Sequence, residues 1–389
     1  MRAKAEGVRR LAKSYDAVVI GAGVFGTWTA HQLRSSGRSV ALLDAYGAAN
    51  SRASSAGESR VLRMGYGADE IYTRWALQSR QLWIELFDAV GRPELFQPTG
   101  LLWTPRPGEH RAEETRAVFQ KCGVAFQDLT AAQLEAEYPQ IRFPSERVGV
   151  FEPQAGAILA RRAVQQVASE AIRNGVHYFQ EAAQAPEGGR VTTSSGQVLS
   201  AGIFVYACGP WLPKIFPQLL TELIRPTRQE VFYFGTPRGD RRFVAPQMPV
   251  WIDFSDERGP YTLPDLENRG FKLAFDHHGP AFDPDSEDRV ARGLESARGF
   301  LRERFPALGD APLVESRVCQ YENTSSGDFL IDRHPDFENV WLAGGGSGHG
   351  FKHGPAVGQY FTKLIDGAIQ SEPRFTLASK ERERKRAVY

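Results

Sequence analysis

Three groups of residues in this chain have types and spacings that could do chemistry. Gly21-Ala22-Gly23-Val24-Phe25-Gly26 is a G-x-G-x-x-G, and Asp44-Ala45 follows at about the 20-residue interval that separates such a loop from a ribose-binding acid. Near the other end lies a second glycine cluster, Gly344-Gly345-Gly346-Ser347-Gly348-His349-Gly350-Phe351-Lys352. His349 and His353 stand four apart, and His277-His278 adjoin Asp276.

The first group suits a dinucleotide. Gly21 permits a tight turn, Gly23 lets a pyrophosphate reach the backbone, and Gly26 lets a helix pack closely on a strand. The following helix offers free N–H groups and a positive dipole end, and Asp44 can accept hydrogen bonds from ribose hydroxyls. This motif alone does not choose between FAD and NAD. The second cluster does: a ligand with an extended arm and a bulky ring can be gripped from both ends, which favours FAD. Ser347 is no hydrolase elbow, because that motif needs Gly two places after the Ser and His349 stands there. The histidine pairs lack a third spaced ligand, and one pair sits among glycines, so no metal is expected.

These motifs require particular elements around them. Residues 16–20 read as a buried parallel strand, 27–35 as a helix stopped by Gly37, and 39–43 as a second strand. Residues 339–342 read as a strand before the second cluster, and 354–369 as a helix after it. Helices are expected over 69–90, 160–174 and 286–304, the last capped by Ser286. Residues 203–207 form a strand leading into Cys208-Gly209-Pro210-Trp211, and 231–234, 250–252 and 271–275 are strand-like. The fold class is α/β with two domains: a Rossmann-like FAD-binding domain with an inserted antiparallel β-sheet substrate domain. The discontinuous FAD-binding domain takes 15–90, 150–220 and 325–375, the substrate domain 91–149 and 221–324, and 1–14 and 376–389 are tails.

Composition narrows the function. A chain of 389 residues is long for one core, which supports two domains. Lys plus Arg number 47 against 46 Asp plus Glu, so no net field exists to hold nucleic acid or an anionic membrane. No apolar run is long enough to span a bilayer. Cys122, Cys208 and Cys319 are far apart and form no disulfide framework, so a reducing, cytoplasmic interior is expected. The basic start lacks a signal-peptide core, and the end, SKERERKRAVY, reads as a solvated tail. A monomer or small homo-oligomer is expected.

Several further motifs occur in order along the chain: Ser54-Ser55-Ala56-Gly57-Glu58-Ser59-Arg60-Val61-Leu62-Arg63, Phe151-Glu152-Pro153-Gln154-Ala155-Gly156, Phe271-Lys272-Leu273, Val318-Cys319-Gln320-Tyr321 and Phe329-Leu330-Ile331-Asp332-Arg333-His334-Pro335. With the two glycine loops, they make the chain resemble the monomeric sarcosine oxidase and N-methyltryptophan oxidase group of FAD-dependent amine oxidases, within the D-amino-acid-oxidase-like superfamily. The resemblance runs from about residue 15 to about residue 369. It implies oxidation of a secondary or N-methyl amine of an amino acid, with O2 reduced to hydrogen peroxide. It implies a covalent FAD, joined through its 8α-methyl to Cys319. Lys272 is then the cation beside the flavin where negative charge develops on O2, and Arg60 lies near the ring. Arg63 and Lys352 take the substrate carboxylate, and Tyr261 and Tyr321 line the substrate pocket. Ser54, Ser55, Cys208, Gly209, Trp211, Gly346, Gly348, His349, Gly350 and Phe351 join the cofactor contacts.

The chain also departs from that group. Sarcosine oxidase has His-His-Gly where Ser55-Ala56-Gly57 stands here, and a histidine where Asp276 stands. Ala56 makes room and Asp276 changes the charge, so a larger or positively charged N-substituted amino acid is expected in place of sarcosine. Other readings are a flavin dehydrogenase with a different acceptor, a flavin-binding protein without amine chemistry, and an NAD-linked dehydrogenase.

Overall fold

The computed structural model describes residues 13–381. Residues 1–12 and 382–389 of the two expected tails lie outside the described residues. The first strand, Lys13–Ile20, pairs in parallel with Val40–Leu43 on one side and with Val198–Tyr206 on the other. Phe337–Gly344 extends the parallel run beyond Val198–Tyr206, and His177–Phe179 extends it beyond Val40–Leu43. Leu330–His334 closes one edge antiparallel. Ala17, Val18 and Val19 have no exposed surface, as befits a parallel strand covered on both faces. The neighbours of this strand come from very different parts of the chain. The turn that follows it is therefore a topological switch point, where open α/β sheets bind ligands.

Helix Val24–Ser35 springs from that turn and packs on Ala160–Arg173 and Gly354–Ile365. Ala160–Arg173 buries Ala163, Val164, Val167 and Ala171, a three-four spacing that makes one apolar stripe. The contact with Gly354–Ile365 is close because Gly358 has no side chain: a Cβ there would sit 2.6 Å from the Trp28 carbonyl oxygen.

A second sheet of eight strands runs Leu313–Asn323, Arg225–Phe234, Phe271–Phe275, Pro260–Leu263, Val250–Ile252, Leu101–Trp103, Gly149–Glu152, Gln127–Leu129. It is antiparallel except where Val250–Ile252 meets Leu101–Trp103 in parallel. Helix Leu294–Arg304 covers one face through Phe300 and Leu301, which pack with Trp251, Phe271 and Phe305. A small third sheet joins Arg60–Leu62, Gly156–Ile158 and Phe96–Gln97. Among the described residues, no helix is long and apolar enough to cross a membrane.

Two expected helices are shorter than their sequences suggest. The one expected over 286–304 begins at Leu294, with Gly293 rather than Ser286 at its N-cap. The preceding segment is held by tertiary hydrogen bonds instead. Arg228 donates to the carbonyls of Asp288 and Val290, and Glu230 accepts the N–H groups of Arg292 and Gly293. The helix expected over 354–369 stops at Ile365, because Gly367 turns left-handed at φ 68° and the Ala368 N–H returns to the Lys363 carbonyl. Helix His110–Cys122 was not foreseen. Its apolar residues are few, so its periodicity is faint.

Candidate active site

The two glycine turns line one cleft, with a cavity volume of about 360 Å³. That lies within the range of small-molecule and cofactor sites, and the walls are mostly apolar. Gly21 turns at φ 101°, and a Cβ there would lie 2.4 Å from the Ala207 carbonyl oxygen. A Cβ on Gly26 would lie 1.8 Å from the Gly21 oxygen, so helix and strand can approach this closely only with glycine. Asp44 closes one end. Its carboxylate accepts the N–H of Ala22 at 2.7 Å and of Tyr46 at 2.9 Å, while burial pushes its pKa up. The other wall is the second cluster, where Gly348 (φ 84°) has a place for Cβ only 2.6 Å from the Tyr321 ring.

Of the expected cofactor residues, Gly21, Gly23, Val24, Phe25, Asp44, Ala45, Ser54, Ser55, Arg60, Cys208, Gly209, Trp211, Gly346, Gly348, Gly350 and Phe351 line this cleft. Ala22 and Gly26 do not; they shape the turn from behind. Cys319, His349 and Lys352 line a second, smaller cavity of about 70 Å³. Arg60, Tyr321, Gly348 and Phe351 line both.

The strand Leu313–Asn323 separates the two cavities. Side chains alternate along a strand: Gln320 and Glu322 face the cleft, Cys319 faces the smaller pocket, and Tyr321 reaches both. Arg60 bridges at this wall. Its guanidinium donates to the Ser54 carbonyl at 2.8 Å, the Ser59 carbonyl at 3.0 Å and the Cys319 sulfur at 3.3 Å. Gly57 leaves room for it, since a Cβ there would lie 2.0 Å from Nη1. Lys272 is buried just behind. It lines neither cavity, and its Nζ donates to the same Ser59 carbonyl at 2.9 Å. Burial first, and Arg60 second, push the Lys272 pKa well below the usual lysine range. Tyr261 lies under it, with Nζ 5.6 Å from the ring centroid, and is hydrogen-bonded to Tyr321. Burial raises the pKa of both phenols.

On the far side of the smaller pocket, Arg63 and Lys352 converge on one tyrosine. The Arg63 guanidinium stacks 4.4 Å from the Tyr66 ring centroid, a cation–π distance. Lys352 Nζ donates to the Tyr66 hydroxyl at 2.6 Å and to the His349 carbonyl at 2.9 Å. The hydroxyl also lies 2.8 Å from His353 Nε2 and 3.3 Å from His349 Nδ1. The histidines thus face a phenol. Burial, then Arg63, push the Lys352 pKa well down. Glu152, also buried, accepts the Met64 N–H at 2.8 Å and adds negative charge beside the pair. Burial raises its own pKa, against the pull of that N–H, Arg63 and Lys352.

Of the two departures from the sarcosine oxidase pattern, Asp276 lines the smaller pocket. Ala56 lines neither cavity; its carbonyl is held by Arg161 and Arg317, so the room expected there is not pocket space. Sequence reasoning missed Tyr66, Glu152 as a charged neighbour, and Glu322. Glu322 had a signal, since strand alternation from Cys319 and Tyr321 turns it to the opposite face. Tyr66 had none beyond its closeness to Arg63.

The FAD dependent oxidoreductase family matches residues 16–364. The chain is 30% identical over 377 residues to the peroxisomal sarcosine oxidase of Homo sapiens, covering 94% of each. It is 27% identical over 361 residues to the monomeric sarcosine oxidase of Bacillus sp. (strain B-0618), covering 90% of this chain and 92% of that one. Among solved structures, L-proline dehydrogenase from P. horikoshii superposes with a TM-score of 0.82 at 20% identity, covering 94% of this chain and 98% of that chain. At that identity the likeness is one of fold.

Proposed function

The chain belongs to the FAD dependent oxidoreductase family, and on that premise we propose that it oxidises a small secondary amino acid, N-methyl or N-alkyl, at the carbon next to nitrogen. O2 takes up the electrons and hydrogen peroxide leaves. The observation that carries this reading is the strand Leu313–Asn323, with the cleft of the two glycine turns on one face and, beyond the other, a smaller pocket lined by Arg63 and Lys352. Gly21, Gly26 and Gly348 stand where a Cβ would strike the protein's own atoms, so both turns can be as tight as dinucleotide binding needs. When bound, FAD supplies the hydride acceptor and the route of electrons to O2.

The chain's residues supply the rest. Arg63 grips the substrate carboxylate and Lys352 adds a point charge beside it. Tyr261, Tyr321 and Phe254 exclude water around the amine, and Asp276 faces it with negative charge. Arg60 at the wall and Lys272 behind it, joined through the Ser59 carbonyl, would supply positive charge where charge develops on O2. Cys319, at the wall beside Arg60, would carry the thioether to the 8α-methyl of the cofactor.

The test is a peroxide assay on purified protein across N-methyl, cyclic and glycated amino acids, with anaerobic bleaching of the flavin band in parallel. Bleaching with peroxide release on an N-alkyl amino acid is expected. Bleaching without peroxide would mark a dehydrogenase, and no bleaching by any amine would end the amine reading. Acid-precipitated protein should stay yellow; colour lost wholly to the supernatant would exclude the covalent bond.

A further inference from the structure

Glu322 sits on the cleft side of the strand that carries Cys319, away from the smaller pocket. Nine-tenths of it is buried. Its carboxyl fits among glycines: Oε2 would lie 3.2 Å from a Cβ on Gly344 and 3.7 Å from one on Gly209. One oxygen is satisfied, since Oε1 accepts the Gly346 N–H at 3.3 Å. The other, Oε2, is buried with no partner among the described residues. A buried acid oxygen without a partner is costly, so it calls for a ligand atom.

The position along the cleft says which atom. The turn of Gly21 and Gly23, where a pyrophosphate meets helix N–H groups, lies to one side, against Ala207 and Cys208. The wall of Arg60, Tyr321 and Gly348, which opens to the substrate pocket, lies to the other. Between a pyrophosphate and a flavin ring runs the ribityl chain, whose hydroxyls each donate and accept. A carboxyl can pair with such a hydroxyl in either protonation state, whereas an ionised one would repel a phosphate. Resting on the reading that the cleft holds FAD, we propose that Glu322 is a cofactor-binding residue that holds a ribityl hydroxyl of the flavin through Oε2 while the Gly346 N–H fixes Oε1.

Burial pushes the Glu322 pKa up to about 7, against the N–H groups of Gly346 and Gly345. The titratable groups around it are Cys208 at the end of the first sheet, Asp44 beyond it, Tyr321 on the same strand and Arg60 at the wall. Of these, Cys208 feels both carboxylates and is itself held protonated by burial.

The test uses the full chain in a Cys319→Ser background, so that flavin exchanges freely. Binding to the apoprotein is read by quenching of flavin fluorescence, for FAD and for analogues lacking one ribityl hydroxyl. One of these deoxy analogues should bind on the order of tenfold more weakly than FAD. Glu322→Leu should weaken FAD by a similar factor and abolish that analogue's penalty. Glu322→Gln, which keeps shape and the Gly346 bond, should bind FAD more tightly than Glu322→Leu and separate lost pairing from misfolding. Equal binding of FAD and every analogue by unsubstituted Glu322 protein would overturn the assignment while leaving FAD in the cleft. Failure of that protein to bind FAD at all would overturn both.

Discussion

In the cofactor cleft, main chain does the positioning: Gly21, Gly26 and Gly348 each stand where a Cβ would strike a neighbour within 2.6 Å. In the pocket beyond Cys319, side chains do it. Arg63, Lys352, Tyr66, His353 and Glu152 come from three separate segments and meet through hydrogen bonds and a ring face. A backbone site tolerates no added atoms but little depends on pH. A side-chain site buries two cations, Arg63 and Lys352, and both its affinity and its proton state hang on their partners. The contrast predicts that damage to the cleft is structural and all-or-none, while damage to the pocket is graded and visible in kinetics.

The largest effect should come from Gly26→Val. Its new side chain meets the Gly21 carbonyl, and main chain cannot move aside as a flexible side chain could. Loss of more than about 3 kcal/mol and of all bound flavin is expected, read by thermal denaturation and flavin absorbance. Gly37→Ala is the control. It also has positive φ, at 92°, but nothing lies within 4 Å of its Cβ, so about 1 kcal/mol and full flavin content are expected. A flavin-loaded Gly26→Val would show that the cleft is not backbone-limited.

Next comes the pocket. Arg63→Met should lower kcat/KM for a carboxylate substrate by about 10²- to 10³-fold, the cost of leaving a buried charge unpaired. Lys352→Met should do somewhat less, because an ammonium contributes a point charge without a two-pronged grip. Both losses should appear in KM. An unmoved KM in steady-state assays would mean that the substrate carries no carboxylate.

Lys272→Met should separate the two half-reactions. Reoxidation by O2 should slow by roughly 10²-fold, while anaerobic reduction by substrate stays within a factor of a few. Stopped-flow absorbance measures each. The pH sign follows from the depressed pKa. The lysine is cationic only below that pKa, so reoxidation should be fast at low pH and fall as pH rises through a midpoint under the usual value of about 10.4. A flat profile would remove Lys272 from oxygen chemistry.

The same contrast explains what the sequence could disclose. The cleft was legible because its parts are local: strand, glycine turn, helix, strand and acid follow one another between residues 13 and 44. The glycines at 344–350 repeat that economy. The charged residues of the pocket gain meaning only through long-range contacts. Arg63 and Lys352 were reached through resemblance, and Tyr66, which joins them, was not reached at all. Helix 286–304 was overextended for a related reason: Arg228 and Glu230, far away in sequence, hold residues 288–293 out of the helix. Propensity cannot see such partners.

The smallest effect tests Tyr66 as a positioning residue for Lys352. Tyr66→Phe keeps the ring beneath Arg63, so the stacking at 4.4 Å survives and only the hydroxyl is lost. Lys352 then keeps one acceptor, the His349 carbonyl, in place of two. An acceptor favours the charged ammonium, so its removal lowers a pKa that burial has already pushed down. Since kcat/KM reports the free enzyme, wild type should bind a carboxylate substrate well below the Lys352 pKa and progressively worse above it. In Tyr66→Phe that decline should begin at a pH about one unit lower, the equivalent of one modest hydrogen bond at 1.4 kcal/mol. At low pH the two proteins should differ by less than about threefold. A pH–rate profile on both, with Lys352→Met as the limit that lacks the transition, decides the matter. If Tyr66 serves only as packing, the midpoint will stay in place while the thermal stability drops.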